Sequence, residues 1–338
     1  MPWRFSGLGG KSNPAKIAPR QIRYIYPCFL SNPIDMLDIV IYMLGVFALG
    51  LMARHFALLD ENAYGALNNY IYYVSMPALI FVKLVGTHLD SGYLLLIMGN
   101  ALPILAMMLL VAAAWKFKAL NPKMAGCLVI TAFFGNIVYM GFPVAQFRFG
   151  EAALADASVI AFVYNFLIFS LGIGLVGLIA EKKSDKYAKS KIFGNTVIIS
   201  CLLGALISLA QVQMPSQITH ILEMVGGTTA PLALFSMGLF MYGKKIGKDP
   251  LNVAVLSVFK LAIFPALFII SSIILGLRGA GFELSFLEAL MPIAVTNFVI
   301  AEKFDLDKEV VAEAILVTTL ISIPVLLGFD WMLALLPK

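Results

Sequence analysis

Thr131 to Gly150 reads TAFFGNIVYMGFPVAQFRFG. The stretch is apolar enough to enter a bilayer, yet Gly135, Asn136, Gly141 and Pro143 argue against one straight helix. A membrane tolerates broken backbone only where protein or a watery cavity covers the freed polar groups. The stretch is therefore either a kink or the middle of a transport site, and its surroundings decide which.

The 338 residues are 61% hydrophobic and only 13% charged, where a soluble domain carries about a quarter charged residues. That composition makes the chain a polytopic membrane protein. The net charge of +5 needs no nucleic acid, because most Lys and Arg lie between apolar runs, where they suit loops facing anionic lipid. Cys28, Cys127 and Cys201 are scattered and form neither a disulfide framework nor a metal spacing. HExxH and GxxxxGK[ST] are absent, and His55, His88 and His220 fall at the ends of apolar runs. Neither an enzyme nor a cofactor nor a metal is expected. Gly172, Gly174 and Gly177 do spell GxGxxG, but inside an apolar run with no preceding strand, where close helix packing explains them.

A span needs about 20 mostly apolar residues. Ten candidates follow one another at roughly 37–54, 65–86, 93–115, 124–147, 157–180, 191–210, 218–242, 252–277, 285–303 and 308–335. Residues 1–35 precede them as an N-terminal extension that holds Arg4, Lys11, Lys16, Arg20 and Arg23 and lacks the apolar core of a signal peptide. A start at Met36 is the slightly favoured reading of that head. The loops after spans 1, 3, 5, 7 and 9 carry most of the positive charge, from Arg54 through the Lys116–Lys123 and Lys182–Lys191 clusters to Lys303 and Lys308. The other side holds Lys83, Arg148, Arg278 and Lys338. The positive-inside rule then makes the first side cytoplasmic and puts both termini outside a cell membrane.

The polar run EKKSDKYAKSK, from Glu181 to Lys191, leaves five spans on each side. This divides the chain into repeat 1 (36–180), a cytoplasmic linker (181–190) and repeat 2 (191–338). An odd number of spans per half forces opposite orientations, so related halves form an inverted repeat. The prolines relate them. Pro77 in SMPALIF matches Pro231 in TAPLALF, Pro103 matches Pro265, and Pro143 in MGFPVA matches Pro292 in LMPIAV. The expected fold is an all-α integral membrane protein of ten transmembrane helices in two inverted five-helix repeats. Helices 4 and 9 are expected to be broken and to cross at Pro143 and Pro292.

Two helices broken near the midplane point half-helix ends into one cavity, and helix N-termini bind anions without a basic side chain. The polar residues near the breaks are Asn136, Thr296 and Asn297, with Tyr139 and Gly141 between Asn136 and Pro143. An Asn amide offers two donors and an acceptor. Asn136 and Asn297 therefore either contact a substrate or cap the half-helices, and the roles are compatible. Asn165, alone in YNFLIF, is a further substrate candidate or a helix–helix hydrogen bond. Carboxylates are expected away from the midplane, with Glu223, Glu288 and Asp330 toward outer ends of spans. Lys260 lies well inside span 8, either snorkelling to the inner interface or fixed there as a charge that attracts anions.

GNIVYMGFP (Gly135 to Pro143), TAPLALFSMGLF in span 7 and MPIAVTNFVIAEKFDLD (Met291 to Asp307) resemble the auxin efflux carrier family, including its microbial members. The resemblance runs from about Met36 to the C-terminus. It implies helices 4 and 9 crossing at prolines and an elevator-like carrier of organic anions. Helices 1, 2, 6 and 7 would form the scaffold and the other six the moving part. Plant members place a substrate-binding Asn beside the helix-4 proline; here Pro143 stands between Phe142 and Val144. Plant members also carry an Asp and a Lys on helix 3, where Asn100 is the nearest polar residue here. Microbial relatives are linked with small dicarboxylates such as malate or malonate.

The expected function is export of a small organic anion, a carboxylate, dicarboxylate or auxin-like acid, by elevator-type alternating access. The alternatives are a sodium-coupled organic-anion importer of the bile-acid-transporter type and a membrane ligand sensor that moves nothing. The expected partners are the organic anion and the lipid bilayer, with a homodimer left open.

Overall fold

A computed structural model of the chain describes residues 36–87, 89, 92–180, 194–243, 247 and 249–336. The N-terminal extension 1–35 and the linker 181–190 lie outside the described residues. The described chain is helical throughout. In order come α1 (Met36–His55), α2 (Glu61–Tyr70), α3 (Met76–Val85), α4 (Gly92–Lys116), α5 (Pro122–Thr131), α6 (Phe142–Phe149), α7 (Ala153–Leu167) and α8 (Ile173–Ile179). After the linker follow α9 (Thr196–Leu209), α10 (Ser216–Gly226), α11 (Thr229–Met241), α12 (Pro250–Val258), α13 (Phe264–Leu275), α14 (Gly279–Ala289), α15 (Thr296–Lys303), α16 (Lys308–Leu327) and α17 (Phe329–Leu335). Six helices among the described residues are long and apolar enough to cross a membrane: Met36–His55, Gly92–Lys116, Ala153–Ile179, Ser216–Met241, Pro250–Leu275 and Lys308–Leu327.

Pro77, Pro143 and Pro265 do not unwind their helices. Each stands in the first turn of an α-helix, directly after a π-turn: Ile71–Ser75, Ile137–Gly141 and Phe259–Ile263. In each case the residue before the proline donates its N–H five residues back, as Phe142 does to Ile137. The wider turn makes room for a ring that would otherwise strike the carbonyl of the preceding turn.

Where lipid replaces water, helices gain little from burying apolar faces and associate through close packing of small residues. α1 lies backbone-to-backbone on α11 through Gly50 and Gly238. A Cβ on Gly50 would lie 2.1 Å from the Phe235 carbonyl oxygen, and one on Gly238 at 2.1 Å from that of Phe47. α3 packs on α9 and α10 in the same manner, with Gly204 against Leu84 and Gly226 against Leu79. A second group forms around α4, α7, α13 and α14 and the paired α12 and α16. Outward rows such as Leu105 and Leu109 on α4, and Ile270 and Ile274 on α13, stay exposed at helical spacing, as surfaces for lipid tails do. The most deeply buried aromatics include Phe133, Phe142, Tyr164, Phe264 and Phe268, and Phe268 stacks on Phe282 and Phe286 of α14 within the second group.

Candidate functional site

Two helices of the buried centre are interrupted. α5 starts under the side chain of Asn121, which accepts from the Met124 N–H at 2.9 Å, and it stops at Thr131. Residues 132–136 are unwound before the π-turn Ile137–Gly141 begins. α14 stops at Ala289, and α15 resumes at Thr296. Pro292 stands inside this second break, where its lack of an N–H costs no helical bond. Pro143 stands beyond the first break, in the opening turn of α6.

The two breaks are stitched to each other. Gly135 pairs antiparallel with Ile293. The Asn136 N–H donates to the Pro292 carbonyl at 2.7 Å, and the Ala294 N–H donates to the Phe134 carbonyl at 3.1 Å. From α16, the Thr318 hydroxyl accepts the Ile293 N–H at 3.2 Å. Asn297, fully buried in the first turn of α15, donates from Nδ2 to the Phe134 carbonyl at 3.1 Å. Lys260 donates from Nζ to the Ala289 carbonyl at 2.7 Å, at the end of α14. Backbone freed by the breaks is thus satisfied by the partner break and by buried side chains, the condition for leaving a helix inside a membrane. The fit at Gly135 is close: a Cβ would lie 3.1 Å from Cε of Lys260 and 3.3 Å from the Met291 carbonyl oxygen.

Buried acceptors are left over around the paired breaks. Oδ1 of Asn297 has no hydrogen-bond partner. Asn136 is also buried, and its Nδ2 reaches only the sulfur of Met237 on α11, at 3.5 Å. Tyr139 donates from its hydroxyl to Oδ1 of Asn68 on α2. Beside the first turn of α15 opens a cavity of about 420 Å³, lined by Arg54, Tyr64, Tyr242, Val295, Phe298 and Val299 among others. It offers one cation and two phenols on otherwise apolar walls, the make-up of a site for a small polar ligand.

A family model described as a membrane transport protein matches residues 35–329. The chain belongs to this membrane transport protein family. An uncharacterized transporter of Methanocaldococcus jannaschii is 26% identical over 306 residues, 88% of this chain and 98% of that one. A Rhizobium meliloti protein named "Putative malonate transporter" is 22% identical over 313 residues, 88% of this chain and 96% of its own. Auxin efflux carrier component 5 of Arabidopsis thaliana is 23% identical over 310 residues, 78% of this chain and 86% of its own. The chain is a transporter of the auxin efflux carrier family and not an enzyme.

Within this family member, Asn136 and Pro292 are bonded to each other across the breaks and Asn297 bonds Phe134 there, while Gly141 lies against Glu288, Tyr139 bonds Asn68 of α2, and Thr296 is exposed at the start of α15. Asn165 lies apart. It donates to the Ala161 carbonyl at 2.8 Å and accepts from Nδ2 of Asn195 at 3.1 Å, while Asn195 caps α9. Its contact is the helix–helix bond that its sequence context also allowed. Of the two readings open for Lys260 the snorkelling one is overturned, and the placement expected for Glu288 is corrected. Lys260 is fully buried under the Phe264 ring, 4.9 Å from the centroid, and does not snorkel. Glu288 is equally buried, because α14 ends inside the protein and its last turn faces Gly141 rather than the outer interface. Hydropathy alone could not place that turn, since it cannot tell which end of a short half-helix is deep.

Proposed function

We propose that the chain is a secondary carrier exporting a small organic anion by elevator-type alternating access, with its site at the crossing of the two broken helices. The observation that carries this reading is the pair of stitched breaks, with the unpaired Asn297 Oδ1 buried between them. Such a construction spends backbone hydrogen bonds to create polar ends in an apolar interior, which a purely structural span has no need of. In this reading α1 to α3 and α9 to α11 form the scaffold. The helices α4 to α8 and α12 to α17 move. Each set takes its helices from both halves of an inverted repeat, 36–180 and 191–338, whose matched prolines are Pro77 with Pro231, Pro103 with Pro265 and Pro143 with Pro292.

The cavity beside α15 is large enough for a small dicarboxylate, and Arg54 supplies a positive charge at its wall. Malonate, named for the Rhizobium relative, is the first substrate to try. An inside-negative potential favours anion exit by about 2.3 kcal/mol per charge per 100 mV. The test is a thermal-shift screen of carboxylates on purified protein, since a bound ligand raises apparent stability by mass action, followed by flux of radiolabelled malonate from proteoliposomes. Asn136→Ala and Asn297→Ala should each weaken the ligand-induced shift while leaving the protein folded. Wild-type shift and flux in the double variant would overturn the site.

A further inference from the structure

The crossing has a charged rear wall. Glu288, in the last turn of α14, and Lys260, in the π-turn before α13, are both fully buried and interact electrostatically. Lys260 is committed: its ammonium donates to the Ala289 carbonyl, at a helix C-terminus where a cation is favoured. Glu288 is not committed. Neither carboxylate oxygen has a hydrogen-bond partner. A carboxylate in that condition is among the costliest groups a protein interior can hold, and the usual remedy is a proton.

The surroundings leave that proton few competitors. Glu288 is wedged against the first broken helix, where a Cβ on Gly141 would lie 2.0 Å from Oε2 and 2.8 Å from Oε1. From α7 Tyr164 faces it, with a buried hydroxyl that also lacks a partner. Asp156 on α7 accepts from Tyr93 of α4 at 2.7 Å, and Lys116 stands in the last turn of α4. Arg148 of α6 is paired with Asp330 at 2.8 Å, Tyr139 of the π-turn donates to Asn68, and α13 brings no titratable side chain. One turn back on the same face of α14, Ser285 accepts from Asn100 of α4 at 2.9 Å, so this face is polar but buried.

We propose that Glu288 is a proton-carrying carboxylate, charge-matched by Lys260, through which the crossing couples anion transport to the transmembrane proton gradient. In the arrangement seen here Glu288 holds the proton as a carboxylic acid. When the crossing shifts and water reaches Glu288, its O–H bond breaks and the proton bonds to a water oxygen, leaving as hydronium on that side. The carboxylate left behind is balanced by the Lys260 ammonium. Gly141 packs Glu288 against the first broken helix within the moving set, so the carboxyl travels with the crossing and is carried with it toward the water on either side.

For its transport arm this inference rests on the carrier reading, so the test has a second arm that does not. Infrared difference spectra of purified protein between acid and alkaline pH are expected to show a buried carboxylic-acid carbonyl band that disappears in Glu288→Gln. In proteoliposomes with the potential clamped, radiolabelled malonate is expected to change its accumulation ratio by about tenfold per imposed pH unit for one-to-one coupling, and to lose that dependence in Glu288→Gln. An identical band in Glu288→Gln, or wild-type malonate flux that ignores the pH gradient, overturns the proposal while the carrier reading stands. No malonate flux in wild type counts against the carrier reading, and the infrared band then decides the proton site alone.

Discussion

One methyl group on Gly141 meets the Glu288 carboxylate head-on. Its Cβ would lie 2.0 Å from Oε2, far inside contact distance, while a Cβ on Gly135 would meet its nearest neighbour, Cε of Lys260, at 3.1 Å. Overpacking of a dense interior costs about 1–3 kcal/mol. Gly141→Ala should therefore lower the melting temperature in detergent more than Gly135→Ala, because the fully buried Glu288 carboxylate would have to move much farther than the neighbours of Gly135. The loss should be largely restored by Glu288→Ala in the same chain, because the two changes share one contact. Equal losses at both glycines, or no restoration, would show that the close approach is not what requires glycine at position 141.

The helices are held at their ends by side chains that the sequence displays openly. Asn121, Asn195, Asp249 and Asp307 cap α5, α9, α12 and α16 through side-chain oxygens. Asn195 does more than cap, since its Nδ2 also donates to Asn165 of α7 and ties the start of one packed group to the other. Asn195→Ala should cost about 1–2 kcal/mol by losing the cap and the tie. Asn165→Ala keeps the cap and should cost less; a thermal melt of the two variants compares them directly. The proline-bearing spans teach a different lesson. A proline marks where a helix must widen, and here three of them are absorbed by π-turns, while the unwinding at Ala132–Asn136 happens where Gly135 lets another chain segment come close.

At the scale of the whole molecule, polar contacts among the described residues join the two packed groups at Lys83–Glu151, Tyr139–Asn68, Asn195–Asn165 and Cys201–Ser158. On one rim Lys83 of α3 pairs with Glu151, in the turn between α6 and α7, at 2.7 Å. Exposed pairs of this kind contribute less than about 1 kcal/mol, so the bond can yield when one group slides past the other. Replacing both residues by Cys and joining them with a bifunctional methanethiosulfonate should arrest malonate flux while leaving the malonate-induced thermal shift intact. Reductant should restore flux. Unimpaired flux in the linked protein would count against sliding of these groups.

Composition and hydropathy by themselves determined that the chain lives in a membrane, and GNIVYMGFP with its counterpart around Pro292 determined its family. Both are local properties, legible because a bilayer imposes its solvent on every span and because a broken helix needs Gly, Asn and Pro in a row. The positions of Asn136 and Asn297 near the breaks were legible for the same reason. Only the tertiary structure decided that the breaks pair backbone to backbone, that Asn165 bonds Asn195 across a helix joint, and that Glu288 and Lys260 are both fully buried. These depend on residues brought together from distant parts of the chain, Gly135 with Ile293 in one case and Asn165 with Asn195 in another. Depth is the physical reason. A charged side chain near the end of an apolar run looks interfacial in sequence, and whether it is buried is set by where the neighbouring helices place that end.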